Sequence, residues 1–154
     1  MKFKKPELII ITCLSFLAFA LRVYQSGGPS FWYDELLELD VVQGSFWDIG
    51  PQLVRHAAMP LDYYLLYGWI QFGRQEAWVR FPALLFGTLT VPLIYQLATS
   101  LFHKRVGYLA ALLLAVTSIA VYYSQDARPY AMLMFWVLLS FWGLWRVYQT
   151  GRSQ

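Results

Sequence analysis

The sequence predicts an all-α polytopic membrane protein with about four transmembrane helices and a long outer loop carrying juxtamembrane helices. Three observations lead there. The 154 residues are 58% hydrophobic and only 14% charged, too apolar for an ordinary soluble domain. Runs free or almost free of charge recur at lengths that approach a bilayer crossing. Basic residues segregate between the segments that join those runs.

The first run, residues 8–21, carries no charge and is bounded by Glu7 and Arg22. An uncleaved first span fits it better than a signal peptide, because no small-residue cleavage pattern follows. The second, 81–102, has no ionised group; Pro82 is expected near its helix start, where a missing N–H costs little, and Pro92 falls mid-span. The third run is 107–123. The fourth, 129–148, has Trp and Tyr near its ends as interfacial anchors. Residues 61–72 are apolar and aromatic but too short to cross, and read as a juxtamembrane helix. The expected organisation is one membrane module over 1–154, the N-terminal part of a larger architecture, with an outer loop at 22–79. Cys13, the one cysteine, lies in the first run, which excludes an intrachain disulfide and places it in the core.

Charge fixes the expected orientation. With the N-terminus cytoplasmic, the inner segments hold Lys2, Lys4, Lys5, Lys104, Arg105, Arg146 and Arg152 against the single acid Glu7. The other face holds eight acids and five arginines. The positive-inside rule therefore puts the 22–79 loop outside a cell (plasma) membrane. A channel or transporter is disfavoured, because the spans carry almost no ionisable side chains to line a path.

The outer loop is too long for a plain connection and is expected to carry function. It opens with a Gly27-Gly28-Pro29-Ser30 turn, followed by Phe31-Trp32-Tyr33-Asp34-Glu35 and a short amphipathic stretch over 34–42. A carboxylate among aromatics at a membrane surface suits a general base, or a ligand for a divalent ion that holds a phosphate. The plain alternative is that Asp34 caps the helix and Glu35 is solvated. A second cluster, Tyr122 to Tyr130, joins the last two runs on the same face and contains Asp126 and Arg128. Arg128 suits a phosphate because a guanidinium can bond two oxygens at once; the alternative is that Asp126 and Arg128 satisfy each other. Arg80, at the mouth of the second run, is a third cationic candidate, or else a residue that snorkels to the headgroups. His56 is within chain reach of this face, whereas His103 falls on the other. No nucleotide-binding, dinucleotide-binding or zinc-protease motif is present, and no basic-aromatic stripe points to nucleic acid.

Four stretches, in order, carry a resemblance: Trp32-Tyr33-Asp34-Glu35; Met59-Pro60-Leu61-Asp62-Tyr63-Tyr64-Leu65-Leu66; Trp78-Val79-Arg80-Phe81-Pro82-Ala83-Leu84 through Gly87; and Tyr122-Tyr123-Ser124-Gln125-Asp126-Ala127-Arg128-Pro129-Tyr130. Together they resemble the N-terminal module of the GT-C polyprenyl-phosphate-sugar glycosyltransferases, among them the protein O-mannosyltransferases and the lipid A aminoarabinose transferase. The resemblance implies an inverting transfer from a polyprenyl-phosphate-linked sugar on the extracytoplasmic face. It assigns Asp34 as the catalytic carboxylate, acting as base or through a divalent metal ion, with Glu35 supporting it. It brings the Gln125–Arg128 loop to the same site, with Arg128 on the donor phosphate and Asp126 beside it; Arg80 and His56 remain substrate-binding candidates from their positions in the sequence alone. In this chain Ala58-Met59-Pro60 stands where many relatives have His-Pro-Pro, and relatives run much longer, with further spans. The alternative expectation is therefore a truncated, non-catalytic scaffold or partner subunit, with a missing C-terminal half or separate partner supplying the rest.

Overall fold

The computed structural model describes residues 5–56 and 59–151, with the side chains of residues 55 and 56 outside that set. Among the described residues the chain is helical, with no strand: α1 (Lys5–Val23), α2 (Tyr33–Gln43), α3 (Phe46–His56), α4 (Pro60–Trp69), α5 (Glu76–Leu101), α6 (Lys104–Val116), α7 (Ser118–Ser124) and α8 (Tyr130–Gly151). Three of these helices are long and apolar enough to cross a bilayer, and the bent pair α6–α7 passes the same test when taken as one span, for three to four candidate spans. This is the all-α polytopic fold expected from the sequence.

Helix α5 is the centre of the bundle and packs against α1, α6, α7 and α8. At about 1.5 Å per residue, its 26 residues exceed the thickness of a hydrocarbon core, so one end stands proud of the bundle. That projecting end meets the short helices α2, α3 and α4, which form a layer with a core of its own from Leu39, Val42, Ile49, Leu53, Tyr63 and Val79. A separate cluster inside the bundle joins Ile11 and Ala18 of α1 to Val91, Tyr95, Ala111 and Ala115. The buried positions of α1, Glu7, Ile11, Ala18 and Arg22, follow one helical stripe. Cys13 falls off that stripe and is exposed, contrary to the core placement expected for it.

Two sequence expectations need correction here. Helix α5 starts at Glu76, so Pro82 lies in the helix interior, where its missing N–H deprives the Trp78 carbonyl of its α-helical partner. That carbonyl instead accepts from Trp69 Nε1 at 2.8 Å, and the Trp69 and Trp78 rings stack with centroids 4.5 Å apart. The proline is tolerated because a neighbouring indole replaces the lost donor.

The third span is not continuous either. Thr117 takes an extended conformation (φ −62°, ψ 122°), and α7 turns 58° away from α6. The carbonyls of Leu114 and Ala115, whose helical partners would lie beyond the break, accept instead from the Arg22 guanidinium at 3.3 and 3.2 Å. Arg22 is fully buried and also donates through Nε to Ser124 Oγ at 3.1 Å. A polar group in a membrane span must be satisfied internally, and here the arginine and the broken helix satisfy each other. Residues 46–56, given no element by the sequence reading, form α3 despite Gly50 and Pro51 within it.

At the opposite end of the bundle Lys104 is paired with Glu7, so the starts of α1 and α6 share one face. The α7–α8 connection lies at the other end, with α2, α3 and α4. Gln125 Nε2 fastens it there by donating to the carbonyls of Leu21, Arg22 and Tyr24, the free end of α1.

Gly87 makes the close approach of α7 to α5 possible: a Cβ there would lie 2.0 Å from Ser124 Oγ and 3.2 Å from Arg22 Nε. Gly87→Ala is therefore expected to destabilise the bundle by about 1–3 kcal/mol through overpacking. Gly68→Ala, where a Cβ meets nothing within 4 Å, is the control. Thermal unfolding of the two variants in detergent micelles measures the difference.

Candidate functional site

The first turn of α2 turns one carboxylate inward and the next outward. Asp34 is exposed, with Trp32 and Tyr33 exposed beside it. Glu35 is completely buried and binds Arg80 of α5 in a two-pronged ion pair: Arg80 Nε donates to Oε1 at 2.8 Å and an Arg80 terminal nitrogen to Oε2 at 2.6 Å. Oε1 also accepts the Ala127 amide at 2.8 Å, and Oε2 the Trp32 amide at 3.1 Å. The remaining Arg80 donors go to the carbonyls of Ser26, Pro29 and Ser30 at 2.7, 2.9 and 3.2 Å.

Both partners are thereby saturated. A carboxylate has about four lone-pair sites and a guanidinium five N–H groups, and the contacts use all of them. Burial alone would raise the Glu35 carboxyl, but the Arg80, Ala127 and Trp32 donors outweigh it and hold the group below the ordinary value of 4.5. The pair ties the 26–32 turn, α2, the top of α5 and the α7–α8 connection to one point.

That arrangement revises several sequence expectations. Glu35 is not a solvated charge: both of its oxygens are engaged, one residue from the exposed Asp34. Arg80 neither snorkels nor keeps an N–H for a substrate, since it is 1% exposed and fully engaged. It is Glu35, not Asp34, that reaches back to the amide preceding α2. His56 ends α3, and its side chain lies outside the described residues.

A second charged group lies one helical turn along α2. Glu38 is fully buried, and its Oε2 accepts from Arg128 at 3.4 Å. The Asp62 carboxyl of α4 adjoins it. Burial, and then Asp62, push the Glu38 carboxyl well above the ordinary carboxylate range. Arg128 is half-buried, stands over the Tyr130 ring at 5.9 Å, and has a buried Nε with no hydrogen-bond partner among the described residues. Its nearest carboxylate partner is thus Glu38, rather than the Asp126 considered from the sequence. Asp126 lies close to Glu35; burial, followed by that neighbouring charge, raises its carboxyl to about 6. Sequence reasoning missed Glu38 and Asp62 as site members. The only signal for Glu38 was its i, i+3 relation to Glu35, and for Asp62 its place in the Met59–Leu66 motif.

Among the described residues no group of three His, Cys, Asp or Glu side chains is arranged to hold a metal ion. Asp34 alone does not make a cage for a resident divalent ion, which usually takes about six oxygen ligands, some of them from water.

Fold and site together define a multi-pass membrane protein with two buried glutamates paired to arginines, Glu35–Arg80 and Glu38–Arg128, in a helical layer at one end of the bundle. The chain belongs to the dolichyl-phosphate-mannose-protein mannosyltransferase family, whose model matches residues 57–154. Membership places it among membrane glycosyltransferases of the GT-C type. The matched stretch contains Asp62, Arg80, Asp126 and Arg128; Asp34, Glu35 and Glu38 precede it. Searches of curated proteins and of solved structures return no match.

Breaking the buried pair from one side leaves an uncompensated charge, so Arg80→Gln is expected to cost about 3–5 kcal/mol of stability. The pH dependence has a definite sign. Because the folded Glu35 value is depressed, its contribution is complete above the ordinary glutamate value and is lost as pH falls through the folded one. Acid unfolding of wild type should therefore show a destabilising limb below about pH 4.5 that flattens in Glu35→Gln, as followed by helical circular dichroism in micelles.

Proposed function

We propose that this chain catalyses, or forms the catalytic module for, inverting transfer of a sugar from a polyprenyl-phosphate donor to an acceptor on the extracytoplasmic face of a cell membrane. The N-terminus is then cytoplasmic, in keeping with the Lys and Arg distribution. Asp34 takes the proton of the acceptor hydroxyl as that oxygen attacks the anomeric carbon. The bond from the anomeric carbon to the phosphate oxygen breaks, and the phosphate leaves with the electron pair on its polyprenyl carrier. Arg128 stabilises the charge gathering on the leaving phosphate, with Asp126 beside it to orient the sugar.

The observation that carries this reading is the division of labour between adjacent acids. Asp34 is exposed and carried on a helix, while Glu35, one residue on, is locked to Arg80 and to the Ala127 amide of the segment that bears Arg128. A base and a cation are thus held on the same end of the bundle by a shared buried anchor. A general base in a site held this rigidly contributes roughly 100-fold or more to rate.

Asp34→Asn should therefore abolish transfer from a labelled polyprenyl-phosphate sugar by membranes containing this chain, at least about 100-fold, while the protein remains inserted and as stable as wild type. Transfer by Asp34→Asn at the wild-type rate would remove Asp34 from the mechanism. An absence of wild-type transfer above empty membranes, with the chain shown to be inserted, would reject catalysis by this chain alone.

A further inference from the structure

The two buried glutamates of α2 are solvated in opposite ways. Glu35 has four N–H donors, two of them from a guanidinium. Glu38 is buried as deeply, yet its one N–H contact is the 3.4 Å approach of Arg128, and no N–H reaches its Oε1 among the described residues. What faces it is chiefly acidic: Asp62 from α4 and Asp126 from the α7–α8 connection, with Tyr63 also from α4, against the single cation Arg128. Apolar Leu65, Leu66, Val79 and Pro82 stand beside Asp62 and Arg128, and the Glu38 side chain is fully buried, so solvent does little to relieve the repulsion at its carboxyl. A buried carboxylate in such surroundings is stabilised by taking up a proton, and two adjoining carboxyls are reconciled only when one donates to the other.

We propose that Glu38 is a neutral carboxylic acid that donates its proton to Asp62 through Oε1 and accepts from Arg128 through Oε2, and so aims the guanidinium without neutralising it. Its role is that of a positioning residue. An ionised Glu38 would draw Arg128 into a closed ion pair like that of Arg80 and Glu35. The neutral acid holds one edge of the guanidinium by a long hydrogen bond and leaves its charge available to an oxyanion such as a prenyl phosphate. The inference rests on the reading of Arg128 as the phosphate-binding cation, and its test separates the two.

The full chain reconstituted in lipid nanodiscs is examined at neutral pH by infrared spectroscopy, and a short-chain prenyl phosphate serves as the binding probe. Wild type should show a protonated-carboxyl stretch that is missing in Glu38→Gln; identical carboxyl bands in the two proteins would overturn the proposal. Glutamine reproduces the neutral acid, with an amide that donates to Asp62 and a carbonyl that accepts from Arg128. Glu38→Gln should therefore bind the probe within about twofold of wild type. A gain of about tenfold or more would show that a competing negative charge had been removed, and would overturn the proposal as well. Glu38→Leu, which removes the acceptor, should weaken binding several-fold. Arg128→Gln serves to separate the readings: unchanged probe binding in that variant defeats the phosphate role of Arg128, while the carboxyl stretch still decides where the proton lies.

Discussion

The ion pair between Glu35 and Arg80 is the constraint on which the loop-end layer depends. Each of its polar atoms is spoken for, and its partners come from four separate segments: the 26–32 turn, the first turn of α2, the projecting end of α5 and the α7–α8 connection. A buried pair contributes little to stability compared with apolar residues of the same volume, but breaking it from one side is expensive. Its effect is therefore on geometry. It forces the chain to bring position 127 against position 35, and this sets the neighbouring Asp34 and Arg128 on the same end of the bundle.

The connection that carries Asp126 and Arg128 reaches that place by a second device, built within the membrane-spanning part. The break at Thr117 turns α7 away from α6, and Arg22 fills the polar gap by donating to carbonyls at the end of α6 and to Ser124 of α7. Gly87 leaves room for Ser124 against α5, and Gln125 closes the free end of α1. An arginine in a span is usually read as a transport or binding group. Here its donors are directed to backbone and hydroxyl oxygens at a helix break, which shapes the loop that follows.

Charge in the layer is handled in two tiers. The deeper tier, Glu35 with Arg80, is fully compensated and closed to ligands. The second, Glu38 with Asp62, Asp126 and Arg128, is under-supplied with donors and lies where Arg128 keeps partial access to solvent. Saturation of the first tier leaves the second as the part of the layer whose polar atoms are not all engaged among the described residues.

The sequence by itself determined the architecture. Apolar runs of near-spanning length leave the backbone no alternative to helices in a bilayer, and a ten-residue apolar segment such as α4 is too short to cross. It also singled out Asp34, Glu35, Arg80, Asp126 and Arg128, because ionisable groups at membrane boundaries stand out against their surroundings. Tertiary structure alone decided which of these are engaged and which are open. Asp34 and Glu35 are adjacent and chemically alike, yet a helix points them about 100° apart, and only packing against α5 chose which one met Arg80. Glu38, Asp62 and Arg22 carry no sequence signal of comparable strength. Their roles arise from contacts between residues as much as 102 positions apart, which no local pattern encodes. The break at Thr117 was hidden for the same reason, since the third run is apolar throughout and the donor that compensates for the break comes from another helix.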